Sequence, residues 1–143
     1  MPYIFEFEPH GVLICWSGNV TSEHMLDYQK AIQSHPEFDR INYEIHDFRH
    51  CISLRLDSSE IELIAALDYA GTISTRGKTI KIAVIADDPI MIGAVDTYMA
   101  CGLSPCPMKV FGCMENARSW IATDAQLPLS AMLGGCQTSP SKS

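Results

Sequence analysis

Three short clusters in this chain hold residues whose types and spacing could do chemistry. Asp87 and Asp88 stand side by side after the apolar run Ile80-Lys81-Ile82-Ala83-Val84-Ile85-Ala86 and directly before Pro89. Acids at the carboxyl end of a strand can hold a ligand or a metal, because open α/β sheets bind their ligands there. Two adjacent acids with no third ligand make a poor metal site. Asp88 before Pro89 also reads as a helix cap, with proline at the first helical position, where a missing N–H costs nothing. The second cluster is His46, Asp47 and His50. A His-x-x-x-His pair ligates a metal from one helix face. Here it crosses a strand end, where alternation sends His46 and Asp47 to opposite faces. The third cluster is Asp57-Ser58-Ser59-Glu60. Ser58 and Ser59 are phosphorylation candidates, and the same four residues spell a capping box: an acceptor, two spacers and an acid that can reach back.

Other chemistries lack their motifs. The sequence contains no Gly-x-Ser-x-Gly, no glycine-rich phosphate loop and no Cys-x-x-Cys. Its six cysteines read as reduced thiols. Cys15 and Cys101 are expected to be buried hydrophobes, and Cys101, Cys106, Cys113 and a histidine are the combination that could hold zinc. No cofactor is expected.

Composition narrows the partners. At 143 residues the chain is one domain, long enough to bury roughly two-thirds of its unfolded surface. Hydrophobic residues make up 47% and charged residues 19%, as in a globular protein. The net charge is −7 and the ten Lys and Arg are scattered. With no basic stripe, nucleic acid and anionic membrane surfaces are poor partners. The start, Met-Pro-Tyr-Ile-Phe-Glu-Phe-Glu, has neither the basic region nor the apolar core of a signal peptide, and no apolar stretch approaches a membrane span. A cytoplasmic protein is expected.

The elements that must position these clusters follow from periodicity. Residues 3–8 alternate as a half-exposed strand, Pro9-His10-Gly11 is turn material, and 12–18 is a second strand, so the two predict a hairpin. Thr21 should cap a helix carrying Met25, Tyr28 and Ile32 on one face and ending by Pro36. Residues 41–46 predict a third strand closed by Asp47, and 48–56 read as irregular. A helix from the capping box to about residue 75 presents Leu63, Ala66, Leu67, Ala70 and Ile73 as its stripe, with Gly77 as a stop. The run 80–86 is unbroken and β-branched, as a strand covered on both faces should be. Met91, Ala94, Val95, Tyr98 and Met99 then follow helical spacing, and Gly102, Pro105 and Pro107 end that helix. Residues 108–111 predict a short fifth strand and 114–122 a last helix burying Met114, Ala117, Trp120 and Ile121. Methionines and aromatics such as Met91, Met108, Trp16 and Tyr98 fill a core or line an apolar pocket. From residue 127 the composition turns to Pro, Gly, Ser and Thr and predicts a flexible tail.

This layout resembles the STAS domains, the anti-sigma-factor-antagonist family, and among them the stand-alone bacterial SpoIIAA-like relatives. The matching pieces run from residue 3 to 122. They are the hairpin ending Trp16-Ser17-Gly18-Asn19-Val20-Thr21, the strand closing on Asp47-Phe48-Arg49, the helix start Asp57-Ser58-Ser59-Glu60, the run Ile82-Ala83-Val84-Ile85-Ala86-Asp87-Asp88-Pro89, and Val110-Phe111 followed by Glu115-Asn116-Ala117-Arg118-Ser119-Trp120-Ile121. The resemblance implies βα units stacked side by side, a fold related to lipid-binding Sec14-type domains. For the stand-alone relatives it implies no established enzymatic activity. It also implies a phosphorylatable serine in Asp-Ser-Ser-Gly at the second helix. Here glutamate replaces that glycine, and a phosphoserine beside Glu60 would meet like charge, offset in part by the helix N-terminus.

The expected fold is therefore α/β: a mixed, mostly parallel five-stranded sheet of successive βα units with an N-terminal antiparallel hairpin. One domain should occupy 1–126 and the tail 127–143. The expected function is a non-catalytic binding or regulatory module for a small apolar or lipid-like molecule. Two alternatives stand beside it: a phospho-switch using Ser58 or Ser59 to control a protein partner, and an enzyme using acids at strand ends. A homodimer is open. The ligand is expected in the strand-end crevice. Its contacts there should come from Asp47, Phe48, Arg49 and His50 after the third strand and from Asp87, Asp88 and Ile90 after the fourth. Ile90, Met91 and Phe111 should form apolar walls, with Ser58 at the neighbouring helix start.

Overall fold

The hairpin comes first because its two strands satisfy one another's backbone without a crossover. In the computed structural model β1 (Tyr3–Phe7) pairs antiparallel with β2 (Gly11–Thr21), Tyr3 facing Trp16 and Phe7 facing Val12. The structure describes residues 2–75, 80–100 and 106–123, with the side chains at 68 and 71–75 excepted. The tail expected at 127–143, the stop at Gly77, and Cys101 lie outside the described residues.

After β2 the chain alternates helix and strand: α1 (Ser22–Gln33), a 3-10 turn at Phe38–Arg40, β3 (Tyr43–Arg55), α2 (Ser58–Thr75), β4 (Lys81–Ile85), α3 (Pro89–Ala100), β5 (Met108–Phe111) and α4 (Met114–Ile121). The sheet order is β1-β2-β3-β4-β5, and every pair after the first is parallel. Three successive crossovers step in one direction. Right-handed connection then places α1, α2 and α3 on the same face. That face packs Trp16, Tyr28, Ile32, Val84 and Met91 together, with Ile61, Ile64, Ala65 and Tyr98 beside them. α4 belongs to no crossover and covers the other face, where Tyr43, Ile45, Ala83 and Ile85 meet Ala117 and Ile121.

The helix starts match their sequence signals. Asp57 and Glu60 bond reciprocally: the Asp57 N–H donates to Glu60 Oε1 at 2.9 Å, and the Glu60 N–H donates to Asp57 Oδ1 at 2.8 Å. Asp88 Oδ1 accepts the Ile90 N–H at 2.8 Å, with Pro89 as the first residue of α3. Thr21 is the N-cap of α1. α4 ends under the ammonium of Lys81, which donates to the Trp120 carbonyl at 2.9 Å, the favourable sign at a helix C-terminus.

Two expectations need correction. Residues 48–55 are strand, a continuation of β3, and only Leu56 and Asp57 remain as a connection. The partner strand shows why the pattern misleads. Pairing with β2 slips between Cys15 and Ser17 and again between Gly18 and Asn19, each time with an extra residue on β3. Such bulges break the period-2 alternation by which a strand is read. Gly18 has φ of 71° at the second slip, a conformation glycine adopts without strain. The second correction concerns α2. Its buried side is Ile61, Ile64 and Ala65, whereas Leu63 and Leu67 are 50% and 41% exposed. Apolar residues surround this helix, so sequence periodicity does not choose the face.

Candidate functional site

The helical face of the sheet is not filled. A cavity of about 110 Å³ lies between the sheet and α1, α2 and α3. β2 contributes Trp16, α1 Tyr28 and Gln29, β3 Glu44, His46 and Phe48, β4 Ile82 and Val84, and α3 Met91, Ala94 and Val95. Most of this wall is apolar, as small-molecule sites are. The sheet builds it by alternation: Tyr43, Ile45 and Asp47 of β3 fall on the α4 face, and Glu44, His46 and Phe48 on the cavity face.

The polar part of the wall has a fixed bonding order. The Trp16 indole N–H donates to His46 Nδ1 at 3.1 Å. An indole can only donate, so Nδ1 accepts and the imidazole proton sits on Nε2. Nε2 lies 2.8 Å from Glu44 Oε1, to which it donates. The Tyr28 hydroxyl donates to the same oxygen at 3.2 Å. Trp16 also stacks on Phe48, with centroids 5.6 Å apart and planes 3° apart, which holds the indole in position. Gln29 is 7% exposed. Its amide nitrogen donates to the Ile64 carbonyl at 3.1 Å, and this partner fixes which end of the amide is nitrogen. Its oxygen Oε1 is buried without a hydrogen-bond partner.

The residues expected at the site from sequence fall in several places. Phe48 and Met91 line the cavity. Asp47, 4% exposed, is bound by Arg49, whose Nε and Nη2 donate to its two oxygens at 2.9 and 2.8 Å. Burial pushes the Asp47 carboxyl up, but the Arg49 hydrogen bonds and charge outweigh it and hold the pKa below the usual value. Asp87, Asp88, Ile90 and His50 are exposed. Phe111 packs on Trp120 across the sheet from the cavity. Ser58 and Ser59 are exposed in the first turn of α2. Glu60, three residues into the box, also accepts from the Ser22 hydroxyl at 3.0 Å and ties α2 to α1. Glu44 and Gln29 were missed. The available signal was a charged residue at a central strand of a doubly covered sheet, where an alternating polar position points inward rather than to water. Among the described residues no group of His, Cys, Asp or Glu is arranged to hold a metal ion, and no helix is long and apolar enough to cross a membrane.

On the opposite face Arg118 of α4 clamps the hairpin turn. Its Nη1 and Nη2 donate to the two oxygens of Glu8 at 3.0 and 2.7 Å, and the Tyr43 hydroxyl donates to the same carboxylate. A Cβ at Gly11 would land on the Tyr43 ring, so this packing requires glycine there. Burial raises the Glu8 pKa, but hydrogen bonds from Arg118 and Tyr43 outweigh it and the net shift is downward. Tyr43 moves the other way, to about 12, through burial and its bond to Glu8. Glu8 and Asp47 therefore favour the folded state above their ordinary values of 4.5 and 3.8, and that contribution disappears as pH falls through the lowered folded values. Urea unfolding midpoints should hold steady between about pH 5 and about pH 8 and drop as the pH falls further. Arg118→Gln should cost about 2 kcal/mol near pH 7, the size of a lost charge-assisted bond, and flatten the acid-side drop. An unchanged acid profile in that variant would show that Glu8 does not carry it.

No protein-family model matches the chain, and no curated protein sequence matches it. Solved structures do match. The anti-sigma factor antagonist SpoIIAA in its unphosphorylated form superposes with a TM-score of 0.54 at 13% identity, over 84% of this chain and 97% of that one. The Bacillus cell-fate determinant SpoIIAA in its phosphorylated form gives 0.52 at 15% identity, over 83% and 98%. A Shewanella loihica protein of the DUF3478 family, described as having a SpoIIAA-like fold, gives 0.51 at 16% identity, over 83% and 91%. With a five-stranded sheet, one antiparallel pair and helices on both faces, this chain has the SpoIIAA-like fold.

Proposed function

We propose that this domain is a non-catalytic binding module that holds a small, mainly apolar molecule in the cavity beneath α1, α2 and α3. The observation that carries the reading is the cavity itself: about 110 Å³ of unfilled space, partly open to the surface, on an otherwise packed face. Protein interiors pack to crystal density, and a void of this size forfeits dispersion contacts all along its wall. An engineered apolar cavity of about 150 Å³ binds benzene, so this smaller but partly open one suits a ligand with a body of about benzene size, any further group reaching toward the opening. Regulation follows from the same place. Three helices share the wall, so an occupant stiffens all of them at once and can alter what their outer surfaces present to a protein partner.

Toluene is the direct probe. At about 0.6 kcal/mol per heavy atom its dissociation constant should fall near 1 mM. Two-dimensional NMR should show the largest shifts at the Trp16 indole and at the methyls of Ile82, Val84 and Met91. Shifts confined to the α4 face, or none at saturation, would remove the reading.

A phospho-switch at Ser58 or Ser59 has one observation in its favour: both are exposed at a helix start, in a fold shared with a protein solved in a phosphorylated form. Against it stands Glu60, whose carboxylate already occupies the Asp57 N–H and the Ser22 hydroxyl. A phosphate beside that acid adds like charge where the cap is complete.

A further inference from the structure

The free valences of the cavity wall are mostly acceptors. Gln29 Oε1 is buried and has no hydrogen-bond partner. Glu44 takes the His46 and Tyr28 hydrogen bonds on Oε1, and neither falls on Oε2. The donors in the same cluster are committed apart from the second N–H of the Gln29 amide: the Trp16 N–H to His46, the His46 Nε2–H and Tyr28 O–H to Glu44, and the first Gln29 N–H to Ile64. No Lys or Arg is among the described residues of the wall. A buried acceptor left unpaired is costly, and a ligand that donates to it recovers that cost. A carboxylate or phosphate would instead bring a second anion beside Glu44 with no cation to meet it.

We propose that the ligand of this cavity is a small aromatic or branched aliphatic molecule with a hydrogen-bond-donating head, a hydroxyl or an amine, and that anionic heads are rejected. The inference rests on the cavity-binding reading and adds the polarity of the head group. It separates this site from one built for fatty acids, which would present basic side chains or free N–H groups at its polar end.

Four probes of one shape test it: toluene, benzyl alcohol, benzylamine and benzoate, titrated into the full chain and followed by NMR at the Trp16 indole. Benzyl alcohol and benzylamine should bind about tenfold more tightly than toluene, the effect of one net hydrogen bond. Benzoate should bind more weakly than toluene. In Gln29→Leu, where the unpaired oxygen is gone, the preference for benzyl alcohol over toluene should shrink at least about threefold while toluene itself changes by less than about twofold. Glu44→Gln, checked for folding by circular dichroism, should relieve the exclusion of benzoate. Benzoate binding as tightly as benzyl alcohol overturns the donor assignment. So does equal binding of toluene and benzyl alcohol, although the cavity reading then stands. Failure of all four probes to bind sinks both.

Discussion

Replacing Trp16 with alanine should remove about 4 kcal/mol of folding stability, within the usual range for truncating a buried tryptophan. Trp16 is 1% exposed. Its ring stacks on Phe48 and His46 and meets Tyr3 and Tyr28 at centroid distances of 5.2 and 5.7 Å. Alanine would lose the transfer energy of the indole and merge its volume with the cavity beside it, which gives the neighbours little reason to collapse inward. It would also leave His46 Nδ1 without the donor that sets its tautomer. Trp16→Phe separates these effects. It keeps an aromatic ring and deletes the N–H, and should cost about 1–2 kcal/mol. Urea unfolding followed by far-ultraviolet circular dichroism measures both. A loss under about 1.5 kcal/mol for Trp16→Ala would mean that the aromatic cluster repacks and the cavity wall is soft.

How far the sequence reached depends on whether local chemistry or tertiary context decides an element. The Asp57–Glu60 box and the Asp88–Pro89 start were legible because their bonds close within three residues. The run 80–86 announced a strand covered on both faces, and β4 is that strand. The length of β3 was not legible, because bulges against β2 interrupt its alternation, and the bulges are a property of the pair rather than of either strand. Met91 and Phe48 were named from the sequence, though for a strand-end crevice: Met91 as an apolar wall and Phe48 with the residues after the third strand. Glu44 and Gln29 were not, since an acid and an amide on amphipathic segments look solvated until a helix is seen to cover them. The strand-end acids illustrate the converse. Asp47 and Asp88 have local partners, Arg49 and the α3 backbone, and those partners account for their positions without a ligand.

Filling the cavity from within should abolish ligand binding without unfolding the protein. Ala94 is the smallest residue on the wall and sits on α3 one turn from Met91 and one from Tyr98. Ala94→Phe adds a ring of the size the cavity is proposed to hold. Toluene and benzyl alcohol should lose at least about tenfold in affinity. The thermal midpoint should stay level or rise, because the new ring regains dispersion contacts that the void forfeits. Overpacking is the competing effect and typically costs about 1–3 kcal/mol where no space exists. The sign of the stability change therefore reports directly whether the space is real. Ala94→Leu gives a milder fill should the phenyl ring prove too large. Met99→Phe on the exposed side of the same helix is the control, and it should leave binding unchanged. If Ala94→Phe folds and still binds benzyl alcohol as the parent chain does, the ligand sits elsewhere. A destabilised variant that has also lost binding would instead mean that the cavity closes in solution and opens only around its occupant.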